Sequence, residues 1–347
     1  MDFGFLRIAA VVPTVTIADC SYNIERIVEN IRIASNQGAK IILFPELSIT
    51  SYTCGDLFWQ SKLLNSAIEG VISVKNATNK IDSVIVVGAP LKIGDKLCNC
   101  AVVIAKGQIL GIVPKTYIRK FGESPENRWF SSASFVNETS IIIDGENVPV
   151  GNNLLFVKDQ IKIAIEVGSD LQAVFPPSSY ASQYGANIIL NPSAYCELVG
   201  GQQYLRNLIQ NQSSKTKSVY ICASAGFGES TTDCVFSGNA IIAENGYILK
   251  EAKRFNRDDS MVIVDVDIEL LNNEKIKSSI LEIENTESVT KYHNILIAGV
   301  DFCKDSPNEL LRRIERNPFI PSNNDDLESI DDVDLSFVST GVPVNPI

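Results

Sequence analysis

Ile165-Glu166-Val167-Gly168-Ser169-Asp170-Leu171 carries the clearest indication of this chain's architecture. It continues an apolar run that is typical of a buried strand, and it holds two acids around a glycine. Two earlier segments, Phe44-Pro45-Glu46-Leu47 and Val113-Pro114-Lys115-Thr116-Tyr117, also follow apolar strand-like runs. The three segments therefore predict a Glu, a Lys and a glycine-centred loop, in that chain order, at the ends of buried strands.

Strand-like and helix-like runs alternate through most of the sequence. The apolar patterns predict strands over 7–12, 40–44, 83–88, 187–190 and 219–223, a helix capped by Asp19, and a helix over 204–216. Hairpins are predicted over 100–113 and 154–167, and over 240–250 around Asn245-Gly246, which favours a type I′ turn. These patterns alone indicate an α/β protein with mixed sheets.

Composition excludes several classes of function. The chain has 347 residues, a formal net charge of -11 and a pI near 4.8, which disfavours nucleic acid and anionic membranes as partners. There is no apolar run of the roughly 20 residues that span a bilayer, and the charged N-terminus is unlike a signal peptide, so a cytoplasmic location is expected. The eight cysteines lack metal-site spacing, and the single histidine, His293, is expected in a turn or at the surface.

The ordered set of three segments resembles the nitrilase superfamily of carbon-nitrogen hydrolases, whose acyl-transfer site uses a Glu, a Lys and a Cys in that order. Longer stretches are similar to the glutaminase domain of glutamine-dependent NAD+ synthetase over about residues 3 to 321. The most specific stretches are Glu46-Leu-Ser-Ile-Thr-Ser-Tyr-Thr-Cys-Gly-Asp-Leu-Phe58, Asn127-Arg-Trp-Phe130, and Ala223-Ser-Ala-Gly-Phe-Gly-Glu-Ser-Thr-Thr-Asp233. The resemblance implies a four-layer α-β-β-α sandwich.

Thioester chemistry needs a thiolate, a base and donors for the developing oxyanion. The resemblance implies that Glu46 is the base and that Lys115 stabilises charge. Gly168, however, stands at the position of the Cys nucleophile. A register shifted by one residue would place Ser169 there, with no nearby His to activate it.

The other departures from the family pattern cluster at positions that the resemblance assigns to glutamine binding. These are Phe121 for Tyr, Ser169 for Glu, Tyr195 near the usual Ser, and Gly201 for Lys or Arg, while Gln172 replaces the usual Trp. Glu46 and Lys115 are expected to persist as a buried ion pair. Glu123 and Glu126 are expected as surface charges, or at the pocket rim for one of them.

Domain organisation follows from the resemblance and from charge. We expect one nitrilase-like domain over 1–321 and an acidic, disordered tail over 322–347, since no Lys or Arg follows Arg316. The ATP-binding Ser-Gly-Gly-x-Asp-Ser loop of the synthetase domain does not occur in this sequence. The chain is therefore not expected to make NAD+ alone.

Three hypotheses of function remain. The first is an inactive homologue of the glutaminase domain, without cofactor or metal, that acts by homo-oligomeric assembly or by binding a partner such as a full-length NAD+ synthetase. The second is an active carbon-nitrogen hydrolase, in which another nucleophile is used or Gly168 is an introduced substitution. The third is a binding module that keeps the pocket for another small molecule.

Overall fold

A computed structural model describes residues 4–120, 126–278, 291–302 and 310–312. The chain divides into two compact units, Met1–Glu309 and Leu310–Ile347, and only 310–312 of the second are described. The predicted domain end near 321 and the acidic tail over 322–347 lie outside the described residues and stay predictions. In the described part, no helix is long and apolar enough to cross a membrane.

The strands of the first unit are β1 (Phe5–Val12), β2 (Ile41–Leu43), β3 (Val84–Ile93), β4 (Lys96–Ala105), β5 (Gln108–Pro114), β6 (Ser140–Ile143), β7 (Glu146–Pro149), β8 (Leu154–Lys158), β9 (Ile161–Ile165), β10 (Ile188–Ser193), β11 (Val219–Ser224), β12 (Ala240–Glu244), β13 (Tyr247–Glu251), β14 (Ser260–Asp267) and β15 (His293–Leu296). The helices are α1 (Cys20–Asn36), α2 (Ser61–Ala77), α3 (Pro177–Gln183), α4 (Gly201–Thr216) and α5 (Ile268–Lys277).

Two large sheets form the centre of the unit. The first has the strand order β14-β1-β2-β3-β4-β5 and the second β13-β12-β11-β10-β9-β8-β15, while β6 and β7 form a separate hairpin. Alternate side chains of the two sheets share one apolar core, for example Ile8, Val86, Phe156 and Ile221. The sheets therefore pack face to face, as their period-2 apolar pattern requires.

Helices cover the outer faces of both sheets. Side chains of α1 and α2, such as Ile27 and Val71, pack with the outward side chains of the first sheet. Ile209 of α4 packs against Tyr220 of the second sheet, and Ala181 of α3 packs against Ala164. The predicted α-β-β-α sandwich is confirmed, since helices, sheet, sheet and helices follow one another in space.

Local signals in the sequence agree with most element positions. The Asp19 side chain accepts a hydrogen bond from the backbone N–H of Tyr22 and caps α1. Asn245 and Gly246 both have positive φ between β12 and β13, as a type I′ turn requires. The strand predicted over 83–88 runs on to Ile93, because its continued pairing with β4 prolongs it beyond the apolar run.

Candidate active site

The turn after β2 places Glu46 in the interior. The Glu46 backbone N–H donates to the Ser193 carbonyl at 3.3 Å, which ties the turn to β10 of the other sheet. The turn also packs directly on Gly88 of β3, where an added Cβ would lie 2.1 Å from the Leu47 nitrogen. Only glycine leaves room for this approach of backbone to backbone. Gly88 thus fixes how closely Glu46 can lie to the first sheet.

Lys115 follows β5 directly and reaches the same place from the edge strand of the same sheet. Its backbone N–H donates to the Asn99 carbonyl on β4 at 2.8 Å. Its ammonium donates to Glu46 Oε1 at 2.7 Å and to Glu126 Oε1 at 2.6 Å. The two predicted residues are therefore in direct contact, and the Glu46 and Lys115 side chains are each only 1% exposed.

Glu126 is the third charged member of this cluster, and the expectation of a surface charge was wrong for this residue. Its side chain is buried, and Oε1 accepts a hydrogen bond from the Tyr52 hydroxyl at 2.7 Å as well as from Lys115. Among the described residues, its Oε2 has no hydrogen-bond partner, and neither has Asn99 Oδ1, although Asn99 Nδ2 donates to Glu46 Oε1. Its place directly before the family-like run Asn127-Arg-Trp-Phe130 was the signal that could have identified it.

The electrostatics of the cluster follow from two carboxylates around one ammonium. Burial raises the pKa of Glu46 to about 7, Lys115 opposes the shift, and the negative charge of Glu126 adds to it. Burial alone would lower the pKa of Lys115, but Glu126 and Glu46 outweigh it, so the pKa is raised. Lys115 is therefore charged, while Glu46 titrates near neutral pH.

Gly168 lies directly against these charges. It begins the short 3-10 turn Gly168–Gln172 after β9 and has φ +52. A Cβ built on it would lie 2.3 Å from Glu46 Oε2 and 2.9 Å from Lys115 Nζ. The Glu46 carboxylate therefore occupies the space that a side chain at 168 would need.

The two acids on either side of Gly168 hold the loop in place. Asp170 accepts hydrogen bonds from the backbone N–H groups of Thr116, Tyr117 and Val167, at 2.6–3.2 Å. Glu166 accepts from the Tyr220 hydroxyl and from the Ser178 backbone. Burial raises the pKa of both carboxyl groups, to about 7 for Asp170, although these donors oppose the shift. Asp170 thus joins the loop of Gly168 to the segment of Lys115.

Ser169 takes no part in the charged cluster. Its hydroxyl donates to the Tyr117 carbonyl at 2.9 Å, so its proton is directed to the backbone. The Gly168 carbonyl in turn accepts from Asn191 Nδ2 at 3.1 Å. The Ser169 hydroxyl, which could otherwise replace a thiol as nucleophile, therefore links the loop to the backbone of Tyr117.

Tyr195 and Gly201 lie together in an open groove of about 510 Å³, which Arg119, Gln172 and Tyr204 also line. The Tyr195 hydroxyl donates weakly to the Gly201 carbonyl at 3.4 Å, and a Cβ at 201 would lie 3.3 Å from that hydroxyl. A larger residue at 201 would press on Tyr195, so the two departures from the family pattern fit each other. Phe121, the remaining predicted position, lies outside the described residues, as does Glu123.

The most specific family-like run, 223–233, acts through Glu229. The Glu229 carboxylate accepts hydrogen bonds from the backbone N–H groups of Tyr52 at 2.7 Å and Thr53 at 2.9 Å. These residues belong to the segment that continues from Glu46. The run therefore fixes the same part of the site from the second sheet.

Among the other candidate groups, Cys196 lines the groove of Tyr195 and Gly201. His293 is exposed at the start of β15, and the seven cysteines of the described residues are buried free thiols. Within the described ranges, no group of three His, Cys, Asp or Glu side chains could hold a metal ion. The site therefore holds a carboxylate, that of Glu46, beside the Lys115 ammonium, and has no side chain at 168.

A family model named carbon-nitrogen hydrolase matches residues 7–274. Glutamine-dependent NAD(+) synthetase from Mycobacterium bovis is 32% identical over 329 residues, which are 92% of this chain and 48% of that protein. The human protein of the same name is 28% identical over 267 residues, 72% of this chain and 38% of its own length. The chain thus spans about half the length, or less, of the curated relatives it matches.

Solved structures agree on the fold. A glutamine-dependent NAD(+) synthetase from Cytophaga hutchinsonii superposes with a TM-score of 0.68 at 24% identity, over 76% of this chain and 43% of that one. An amidase of the nitrilase superfamily from Nesterenkonia AN1 gives a TM-score of 0.60 at 18% identity, over 78% of this chain and 95% of that one. At these identities the likeness concerns the fold alone.

Proposed function

We propose that this chain, which belongs to the carbon-nitrogen hydrolase family and is homologous to the glutaminase region of NAD+ synthetase, is a catalytically inactive member that acts through assembly. Its partners would be further copies of itself or a full-length NAD+ synthetase in the cytoplasm. In this view the chain retains the fold of a glutaminase domain but does not hydrolyse glutamine. The proposed role is that of this sequence, which matches about half the length of the synthetase relatives.

One observation carries the proposal. The Glu46 carboxylate fills the room of a side chain at 168, with Oε2 2.3 Å from the position of a Cβ. Amide hydrolysis through a thioester needs a sulfur atom at that place, free to attack a carbonyl carbon. Here the Glu46 carboxylate lies in the nucleophile's position, and the ammonium that contacts it, that of Lys115, is held between Glu46 and Glu126.

Retention of the framework supports a role in assembly. The hydrogen bonds of Asp170, Glu166 and Glu229 maintain the loops around the former reaction centre. Selection for a fold without its reaction is expected when the surface of that fold is what partners bind. The test is size determination by light scattering, together with capture by an immobilised full-length NAD+ synthetase from the same organism. A monomer that the synthetase does not retain would contradict the assembly proposal.

Glutamine turnover tests the inactivity directly. Purified protein is expected to release no more ammonia and glutamate from glutamine than buffer does, and the Glu46→Ala variant should give the same result. Glutamate release that disappears in Glu46→Ala would overturn the proposal. It would favour the second candidate, a hydrolase in which Glu46, with a pKa of about 7, activates a water molecule.

Reconstruction tests the history of the site. Gly168→Cys alone is expected to restore little activity, because its side chain meets Glu46 and the family's glutamine-binding residues are replaced at Ser169 and Gly201. The triple variant with Ser169→Glu and Gly201→Lys adds the two side chains that the family pattern places at those positions. Turnover by the triple variant but not by the single one would support loss of both nucleophile and pocket. Full activity of the single variant would contradict the loss of the pocket.

A further inference from the structure

Two lysines converge on one loop of the second sheet, which runs between α3 and β10. Lys275, in the last turn of α5, donates to the Ala186 carbonyl at 2.5 Å. Lys162, on β9, donates to the Tyr184 carbonyl at 3.4 Å. A Cβ on Gly185, between the two acceptors, would lie 3.0 Å from Lys162 Nζ. The two ammonium groups thus flank a single residue.

No carboxylate of the described residues forms an ion pair with either of these lysines. The adjacent polar side chains are neutral, with Asn187 Nδ2 donating to the Gln160 carbonyl and to Asn272 Oδ1. Two residues further along α5, by contrast, Lys277 pairs with Glu274 at 3.1 Å. Partly buried lysines are usually paired, so two neighbouring cations without an acid are a departure that needs a reason.

This surrounding changes the chemistry of Lys275. Burial, and then the positive charge of Lys162, lower the pKa of the Lys275 amine to about 8. A sizeable share of the amine is therefore neutral and nucleophilic near pH 7.5. Lys275 is half-buried, so part of its side chain is in contact with solvent.

We propose that Lys275 is a site of acyl modification by small acyl phosphates, with Lys162 binding the phosphate of the donor. The inference is independent of the proposed function, since it concerns different residues. An acyl phosphate has an electrophilic carbonyl, which the Lys275 amine would attack, and an anionic phosphate, which the Lys162 ammonium would bind.

The step is a simple acyl transfer. The lone pair of the neutral Lys275 Nζ attacks the acyl carbon, a C–N bond forms, and the C–O bond to phosphorus breaks. Phosphate leaves with that electron pair, and the surplus proton of the amine passes to water. One N–H donates to Ala186 throughout, which leaves the lone pair free to face the donor. The product amide keeps one N–H for the same carbonyl.

The experiment compares two lysines of one helix. The full folded chain is treated with acetyl phosphate, and modification at each site is followed by peptide mass spectrometry. At pH 7.5 we expect Lys275 to react about tenfold faster than Lys277, whose ammonium is exposed and paired with Glu274. The ratio should fall as pH approaches 10, where ordinary lysines are also neutral. Equal rates at pH 7.5 would overturn the proposal.

A variant separates the two roles. Lys162→Met is expected to slow modification of Lys275 by acetyl phosphate more than by the neutral ester p-nitrophenyl acetate, since only the former needs the phosphate contact. Lys215→Met, which removes an exposed lysine of α4, serves as the matched control and should change neither rate. If a folded Lys162→Met variant were modified at Lys275 by acetyl phosphate at the native rate, the proposed role of Lys162 would be refuted. If that variant did not fold, the pH dependence of the native chain would still decide.

Discussion

The acids around Gly168 and the acids beneath it differ in how well their oxygens are satisfied. Glu166 and Asp170 accept hydrogen bonds on both oxygens, largely from backbone N–H groups. Glu126, in the charged cluster, has one buried oxygen without a partner among the described residues, and Glu46 leans into the space over the glycine. The acids that hold the loops have all their oxygens paired, whereas Glu126, in the charged cluster, does not. The pairing of each carboxylate oxygen therefore distinguishes the acids that hold the loops, Glu166 and Asp170, from the acids of the charged cluster, Glu46 and Glu126.

The largest expected effect comes from the centre of the cluster. Lys115→Met leaves two buried carboxylates without their cation, which should lower the free energy of unfolding by about 3–5 kcal/mol. Urea denaturation measures the change. Lys96→Met, which removes a partner of an exposed pair with Asp95, should change stability little. Equal stability of the two variants would show that the cluster is not held by its charge balance.

Loss of the hydrogen bonds that Asp170 accepts should destabilise the protein nearly as much. Asp170→Ala leaves the backbone N–H groups of Thr116, Tyr117 and Val167 buried without their acceptor, and should cost about 3 kcal/mol of unfolding free energy. Asp56→Ala, at an exposed pair with Arg128, is the control and should leave the unfolding midpoint almost unchanged. Similar midpoints for both variants would mean that the loop of Gly168 is held by other contacts.

Gly168→Ala tests the contact with Glu46 and should destabilise by about 1–3 kcal/mol, from left-handed backbone strain and the crowding of the carboxylate. Gly55→Ala is closely matched, because Gly55 has φ +57 and a Cβ there would meet nothing within 4 Å. The difference between the two losses, measured by urea denaturation, reports the contact alone. If both losses were equal, Glu46 would not occupy the space at 168 in solution.

The smallest effect concerns pH. The folded-state pKa values of Glu46 and Asp170 are raised to about 7 from ordinary values near 4.5 and 3.8. The folded chain therefore binds more protons than the unfolded chain in between, so this contribution to stability is present at low pH and is lost as pH rises towards 7. Glu46→Gln should flatten the fall between pH 6 and 7 by about 1 kcal/mol in urea titrations. Glu69→Gln, at an exposed acid, should leave the slope as it is.

Periodic patterns and turn residues were sufficient for most of the elements, and the resemblance supplied the sandwich that pattern alone left open. The contact of Glu46 with Lys115 was expected from the resemblance, which placed both residues at one site. Glu126 was missed because a charged residue in a polar loop gives no periodic signal, and its burial depends on Lys115 being nearby. The fit of Tyr195 to Gly201 was missed for a similar reason, since it arises between β10 and α4 only after folding.

Under the proposed function, the position of Glu46 beside Gly168 would also affect how easily a nucleophile could be regained. A Cβ restored at 168 would lie 2.3 Å from Glu46 Oε2 on a left-handed backbone, so the reverse substitution would require the carboxylate to move. A larger residue at 201 would likewise press on Tyr195. The proposed loss of activity would therefore be harder to reverse than to acquire, while the fold itself is retained.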